Sequence, residues 1–267
     1  MQKVTIIYRV CDGVDMLHMT EEEHLHDENR YSKRFYDIPK NYLIKKCLMS
    51  VKNAIHEADE TEGCGRISTE FICVYDNCSE DTLKFIKGAI PDAKMIPCNG
   101  NGNGDSFATC IDTANSMVDD ETIVFFLEDD YSFLSSDGLI KAVNMLEMVS
   151  KRNGEQSALF LDDYPDRYDE NFERKNTSVS VTPYGHLMKI DSSTCSFMTY
   201  VGIIKKHYDE FMKFRKYPEI MEKDSIDKVW EDVNLYCPIP GLTLHCQLKC
   251  HIPIYVNAES IKKIMES

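Results

Sequence analysis

No run of apolar residues reaches the ~18 needed to cross a bilayer, and the apolar part of the opening stretch "MQKVTIIYRV" is too short for a secretory signal. No transmembrane segment is expected, and the expected location is cytoplasmic. Basic residues are scarce: 30 Lys and Arg stand against 45 Asp and Glu, a formal net charge of −15. Phosphate backbones need clustered cations, which argues against nucleic acid as a partner. A small anionic nucleotide is still admissible if a metal or a helix N-terminus supplies local positive potential. C-x-x-C pairs are missing, so the eleven scattered cysteines form neither a zinc ribbon nor a thioredoxin-type motif and read as reduced, mostly buried thiols. Cys246 and Cys250 have the wrong spacing for a familiar metal site. There is no EF-hand loop, no repeat, no low-complexity tract and no clean linker, and tryptophan occurs once, at Trp230.

What remains is a globular composition, 43% hydrophobic and 28% charged. Its first half alternates short apolar runs with helical patterns. Strands are expected at Val4 to Val10, Glu70 to Tyr75, Ala93 to Pro97 and Thr122 to Leu127. Between them, Leu43, Ile44, Cys47, Leu48, Val51, Ala54 and Ile55 recur at helical spacing after Pro39, and Ser79 is placed to cap a short helix. A glycine-rich turn then feeds a helix with Phe107, Cys110, Ile111, Ala114 and Met117 on one face. The alternation predicts an α/β fold, Rossmann-like, with a mainly parallel central sheet flanked by helices. The second half is less regular: a helix from Gly138 to Val149, a strand in "SALFLDDY", one or two strands in "HLMKIDSSTCSFMTYVGII", and helices in "KKHYDEFMKF" and "SIDKVWEDVNLY". The stretch His18 to Arg34 reads as a long surface loop. Together these predict a single domain over 1–267, with 1–135 as a nucleotide-binding half and 136–267 as a half that shapes an acceptor site and carries a smaller β element.

The stretch "TIVFFLEDDY" stands out because the apolar strand ends on three consecutive acids, Glu128, Asp129 and Asp130. Like charges so close repel, and each loses hydration if drawn inward. Ligands of parallel α/β sheets bind beyond the carboxyl ends of the strands. Asp76 and Asn77, the glycine turn after Pro97, and the acid triplet are all expected there, facing one crevice. A divalent cation is the natural occupant of such a cluster.

The strand ending in "VYDNCSEDT", the strand ending in "FFLEDD", and the later "VWEDVNLY" and "PIPGLTLHC" resemble the elements of a GT-A fold glycosyltransferase of the large family 2 group. The resemblance covers roughly residues 3–135, and 196–245 more loosely. After the first strand, "YRVCDGVD" lacks the proline and aromatic-asparagine pair usual in that family. The resemblance implies transfer of a sugar from a nucleotide-diphosphate sugar, UDP favoured, to a hydroxyl acceptor such as a glycan, with Mn²⁺ or Mg²⁺ as cofactor.

It also implies roles. Asp130 is the expected direct metal ligand. Glu128, two residues away on the same face of an extended chain, would bind the metal through water or hold the ribose. Asp129 would contact the donor or cap the following turn. His245 would complete the metal shell or pack as an ordinary histidine. Asp76, with Asn77, would accept from the base or form an Asx turn. Asn103 and Gly104, in the glycine-rich loop, would approach the donor. Asp232, with Glu231 as substitute, is the expected general base, which would give inversion; otherwise the two are a surface pair. Trp230 would stack on a sugar or belong to the core. Independently of the resemblance, Asp162 and Asp163 follow another expected strand and would contact acceptor hydroxyls. Rival readings are a sugar nucleotidyltransferase, whose glycine-rich, arginine-bearing signature "RVCDGVD" does not supply, and a non-catalytic nucleotide- or glycan-binding module.

Overall fold

The computed structural model describes residues 2–13, 38–60, 67–98, 100, 102–168, 178–248 and 251–266. The His18–Arg34 stretch and Cys250 lie outside them. In chain order the regular elements are β1 (Gln2–Val10), α1 (Lys40–Glu60), β2 (Ile67–Tyr75), α2 (Glu80–Ala89), β3 (Lys94–Pro97), α3 (Asn103–Asn115), β4 (Ile123–Glu128) and β5 (Tyr131–Phe133). They continue with α4 (Gly138–Asn153), β6 (Ala158–Leu159), β7 (Val179–Thr182), β8 (Gly185–Ile190), β9 (Phe197–Tyr200), α5 (Val201–Lys206), α6 (Tyr208–Met212), α7 (Ile226–Val229), β10 (Leu235–Ile239), β11 (Thr243–His245) and α8 (Ala258–Glu266).

Nine strands form one sheet in the order β3-β2-β1-β4-β9-β6-β10-β8-β7, and β5 pairs with β11 in a separate two-stranded sheet. Strands β1 to β4 are mutually parallel, as are β6 and β10. Only β9 and β8 run against the rest. This is the mainly parallel sheet with a smaller β element that the alternation predicts.

Side-chain period explains why both faces of this sheet must be covered. In β1, Ile6 and Tyr8 belong to one apolar cluster and Ile7 to another; in β4, Phe125 and Leu127 alternate with Val124 and Phe126 in the same way. The first cluster takes Ile44, Leu48 and Val51 of α1 and Leu139 and Val143 of α4. The second takes Phe107 and Ile111 of α3 with Phe211, Phe214 and Trp230. Strands buried on both sides read as continuous apolar runs, as β1 and β4 do. Each fully buried large side chain contributes on the order of 1.5–3 kcal/mol, so the two layers fix the sheet firmly. The described cysteines are all free thiols, most of them buried. Among the described residues, no helix is long and apolar enough to cross a membrane.

The second half departs from expectation at two places. "KKHYDEFMKF" is interrupted at His207 between α5 and α6. "SIDKVWEDVNLY" is helical only over Ile226–Val229 and becomes strand from Leu235. The apolar residues after Trp230 follow strand pairing with β6 and β8 rather than helical period. That change of element decides where the Glu231–Asp232 pair lies.

Candidate functional site

The parallel register brings the carboxyl ends of β1, β2 and β4 level: Val10 pairs with Tyr75, and Arg9 with Glu128. The loop after β1 is laced to the loop after β2. Gly13 N donates to Asn77 O at 2.8 Å, and a Cβ on Gly13 would stand 2.3 Å from that oxygen, so only glycine allows this approach. Asn77 takes φ +45°, a left-handed turn that asparagine tolerates. Asp12 accepts from Ser79 N at 2.7 Å and Ser79 Oγ at 2.5 Å, and also from Thr82 Oγ1. These bonds outweigh partial burial and hold the Asp12 carboxyl below its usual range. Ser79 caps α2, as expected. Asp76, half-buried beside this turn, has its pKa raised by burial, partly offset by the backbone N–H groups of Gly102 and Asn77.

The acid triplet is divided. Because side chains alternate, Arg9 and Glu128 face the α3 side, where the Arg9 guanidinium pairs with Glu128. Arg9 also donates to Asn103 O at 2.9 Å, to the Asn103 side chain, and to Ser106 Oγ at 3.2 Å. Ser196 Oγ donates to the second Glu128 oxygen at 3.1 Å. Glu128 is therefore the counter-ion of a buried arginine. It does not project with Asp130, because the backbone turns over Asp129 and Asp130 before β5. Asp129 goes to the α1 side, accepting from Cys11 N at 2.9 Å and facing Lys40 Nζ at 3.5 Å. Burial raises its pKa to about 6 despite Lys40.

Asp130 meets the two-stranded sheet. Cys246 N donates to Asp130 O at 2.7 Å, and Asp130 Oδ2 lies 3.3 Å from His245 Nε2. Burial works against the Asp130 charge, but His245 and Lys40 together pull its pKa down to about 2. His245 in turn has its pKa raised, Asp130 outweighing the effect of burial. Its ring stacks on Tyr131 at 4.3 Å and on His251 at 4.4 Å, and its Nδ1 lies 2.6 Å from Tyr164 Oη. Burial and the neighbouring His245 lower the His251 pKa to about 4. Asp162, wholly buried after β6, has no side-chain partner among the described residues, and only the backbone N–H groups of His245 and Asp163 face its carboxyl. Burial pushes its carboxyl up to about 8, the nearby His245 charge offsetting only part of that.

A divalent cation fits the Asp130–His245 pair on chemical grounds. Octahedral ligands about 2.0–2.1 Å from Mg²⁺ stand ~3 Å from one another, and such ions are commonly held by one or two protein groups beside waters and substrate phosphates. An oxygen and a nitrogen 3.3 Å apart match that edge. Among the described residues there is no cluster of three or more His, Cys, Asp and Glu side chains arranged to hold a metal alone, so water and a ligand's own oxygens would have to supply the remaining positions.

Other expected site residues lie elsewhere or are occupied. Trp230 is core: its indole N–H donates to Ser193 Oγ at 3.0 Å and its ring packs edge-on against Phe197 and Phe211, leaving no face for a sugar. Glu231 and Asp232 line an outer pocket with Lys206, His207, Asp209, Glu210 and Lys228. That pocket adjoins α5, whose first N–H groups bond to Thr122 O and Asp120 O at the entry to β4. Within it Glu231 pairs with Lys228 at 2.7 Å. Asp163 spends both carboxylate oxygens on Tyr168 Oη, at 2.8 Å each. A Cβ on Gly104 would meet Arg215 O at 2.6 Å, so this glycine serves the packing of α3 rather than a ligand. Asn103 is tied to Arg9.

The structure adds Arg9, Lys40, Tyr164, Glu222 and Asp227 to the crevice side. Glu222, its pKa raised by burial, feels the charges of Glu128 and Arg9. Asp227 accepts from Ser193 N at 3.0 Å, and burial raises its pKa to about 7. Arg9 had a signal, a cation two places after Ile7 in an otherwise apolar strand; Glu222 and Asp227 had none.

No protein-family model matches the chain, and no curated protein does. Among solved structures, S. aureus TarS 1–349 in complex with UDP is similar at 10% identity and TM-score 0.48, over 88% of this chain and 60% of that one, so this chain spans about three fifths of it. A galactosyltransferase, LgtC, with donor and acceptor sugar analogues is similar at 10% identity and TM-score 0.46, over 87% and 72%. 4-Diphosphocytidyl-2C-methyl-D-erythritol synthase from Anaerococcus prevotii is similar at 13% identity and TM-score 0.45, over 100% and 97%. These likenesses assign no activity to this chain.

Proposed function

We propose that the chain is a transferase acting on a nucleotide-diphosphate sugar, UDP-sugar favoured, and that it passes the sugar to a hydroxyl acceptor with help from Mn²⁺ or Mg²⁺. The observation carrying this reading is the pairing of Asp130 with His245, at 3.3 Å, beyond the end of β4 in the same crevice as Asp129 and Asp76. A bound divalent cation there supplies stabilisation of the negative charge that grows on the leaving diphosphate.

The chain's own residues divide the remaining work. Asp130 and His245 hold the cation. Lys40, facing Asp129 and close enough to lower the Asp130 pKa, adds fixed positive charge to a crevice rich in acids. Asp76, beside the N-terminus of α3, is offered to the base as a hydrogen-bond acceptor. Arg9 and Glu128 neutralise each other and brace the floor. For the proton leaving the acceptor hydroxyl, Glu222 and Asp227 join Asp232 and Glu231 as candidate bases: burial raises the Glu222 pKa and lifts that of Asp227 to about 7, near the best working range at neutral pH. A carboxylate opposite the leaving group would give inversion.

A second reading is a nucleotide- or glycan-binding module without a base, and the grouping of Asp232 with Lys206, His207 and Lys228 in one pocket supports it. A single assay separates the readings. With Mn²⁺, a panel of nucleotide sugars and candidate acceptors, glycosyl transfer releases nucleoside diphosphate. A nucleotidyltransferase run forward on nucleoside triphosphates and sugar phosphates releases pyrophosphate, and a module releases neither. Failure of every nucleotide sugar to bind in the presence of Mn²⁺ would sink the proposal.

A further inference from the structure

His245 is held from behind by a chain of hydroxyls. Its Nδ1 is 2.6 Å from Tyr164 Oη, Tyr164 Oη is 2.9 Å from Tyr131 Oη, and Tyr131 Oη is 3.0 Å from Thr194 Oγ1. Thr194 Oγ1 accepts from Ser196 N at 3.1 Å, and Ser196 Oγ reaches Glu128 at 3.1 Å. The chain therefore runs from His245 back to the first acid of the triplet.

Each hydroxyl has a single proton, so the direction of the whole chain is set together. In one direction Thr194 donates to Tyr131, Tyr131 to Tyr164, and Tyr164 to a bare Nδ1; a neutral imidazole then carries its proton on Nε2, against Asp130. In the other, Nδ1–H donates to Tyr164, Tyr164 to Tyr131, and Tyr131 to Thr194; Nε2 then turns a lone pair toward the space beside Asp130. Only the second can bind a cation, and a lone pair facing a carboxylate at 3.3 Å is favourable only when something positive lies between them. A ligand histidine generally fixes its tautomer by donating its other N–H to such a partner.

We propose that Tyr164 is the positioning residue that holds His245 as its Nδ1–H tautomer, with Tyr131 and Thr194 completing the relay, so that Nε2 is presented with Asp130 to a divalent cation. This rests on the metal-binding reading of the crevice. The rings are placed for the role: Tyr131 stacks on His245 at 4.3 Å, restricting the imidazole to rotation within its own plane, and the Tyr164 bond fixes that rotation.

The test uses the full chain. Mn²⁺ affinity is measured by the paramagnetic resonance of free Mn²⁺ for wild type, Tyr164→Phe and Tyr131→Phe, with thermal midpoints recorded alongside. Imidazole nitrogen–proton correlation spectra in Mg²⁺, with His245 assigned from His245→Gln, report which ring nitrogen carries the proton. The expected results are an Nδ1–H tautomer in the wild type, Mn²⁺ affinity about 10–100-fold weaker in Tyr164→Phe at a near-unchanged midpoint, and a smaller loss in Tyr131→Phe. Unchanged affinity and spectrum in Tyr164→Phe overturn the inference, as does a wild-type His245 protonated on Nε2 with Mg²⁺ bound. That spectrum needs no tyrosine variant to fold. A wild type that takes up no Mn²⁺ instead removes the metal reading itself, and the inference with it.

Discussion

Acids gather beyond the carboxyl end of β4 and again in an outer pocket, and the two places treat them differently. At the carboxyl end, each member of the triplet has its own arrangement: Glu128 on Arg9, Asp129 on Cys11 N and Lys40, Asp130 on His245. In the outer pocket, Glu231 and Asp232 stand with Lys206, His207 and Lys228, and Glu231 pairs with Lys228 at 2.7 Å. Exposed pairs of that kind are screened by water and salt and hold their partners loosely. Buried charges need specific partners and couple strongly to whatever enters beside them. The contrast separates acids built into a binding device from acids that keep a surface wet.

Substitutions can sharpen or break that contrast. The largest effect is expected from Asp130→Ala, which should abolish Mn²⁺-dependent binding of nucleotide sugar in a calorimetric titration while the protein stays folded; unchanged donor affinity would erase the distinction between the two places. Next, Glu222→Gln and Asp227→Asn are assayed separately for turnover. The one that supplies the base should lose about 10²–10⁴-fold, the contribution usual for general acid–base catalysis. Equal, wild-type rates in both would return the base to the unassigned acids. Arg9→Met leaves Glu128 buried without its cation and should lower unfolding free energy by about 3–5 kcal/mol in urea titrations. A loss below ~1 kcal/mol would make that pair no stronger than a surface one.

Asp162 gives a pH signature. A carboxyl whose folded pKa lies above its unfolded value binds more protons when folded. Stability should therefore fall as pH rises from the unfolded pKa of about 4 toward the folded pKa of about 8. Asp162→Asn removes that dependence. In EDTA its stability advantage over wild type should widen across this window to a few kcal/mol, at about 1.4 kcal/mol per pKa unit. A constant gap would mean that the backbone N–H groups of His245 and Asp163, with the His245 charge, offset the burial of the Asp162 carboxylate. The smallest effect is expected from Asp232→Ala: turnover within about twofold and stability within ±0.5 kcal/mol, as for surface sites generally.

Much of this was readable in the chain. The apolar stripes after Pro39 and around Phe107 are the buried faces of α1 and α3, and the strands ending at Tyr75 and Glu128 place Asp76 and the triplet together. Those signals are local, set by period and by strand-end composition. What stayed hidden was non-local. Trp230 and Asp232 sit where they do because the chain after Val229 turns into β10, a strand recruited by β6 and β8. Its residues Leu235 to Cys237 fit either a helix or a strand when read alone. Glu128 and Asp130 share a face only if the strand continues, and the turn that separates them is anchored by Cys246 N, more than a hundred positions away. Lys40 stands one place after Pro39, at the start of a helix whose buried stripe was clear, yet nothing local aims its ammonium at Asp129.

The reversed strand β9 has a bearing on how the molecule comes into being. Ser196 joins Glu128 across 68 positions and His245 joins Asp130 across 115, so a ribosome that has delivered only the first four parallel strands has made a shelf with the Arg9 and Lys40 pairings but without these two. Loop closure over such spans is slow, and unfinished sheet edges attract other chains while they wait. Competence for a ligand should consequently arrive in one late event, near the emergence of the last strand, rather than growing in step with chain length.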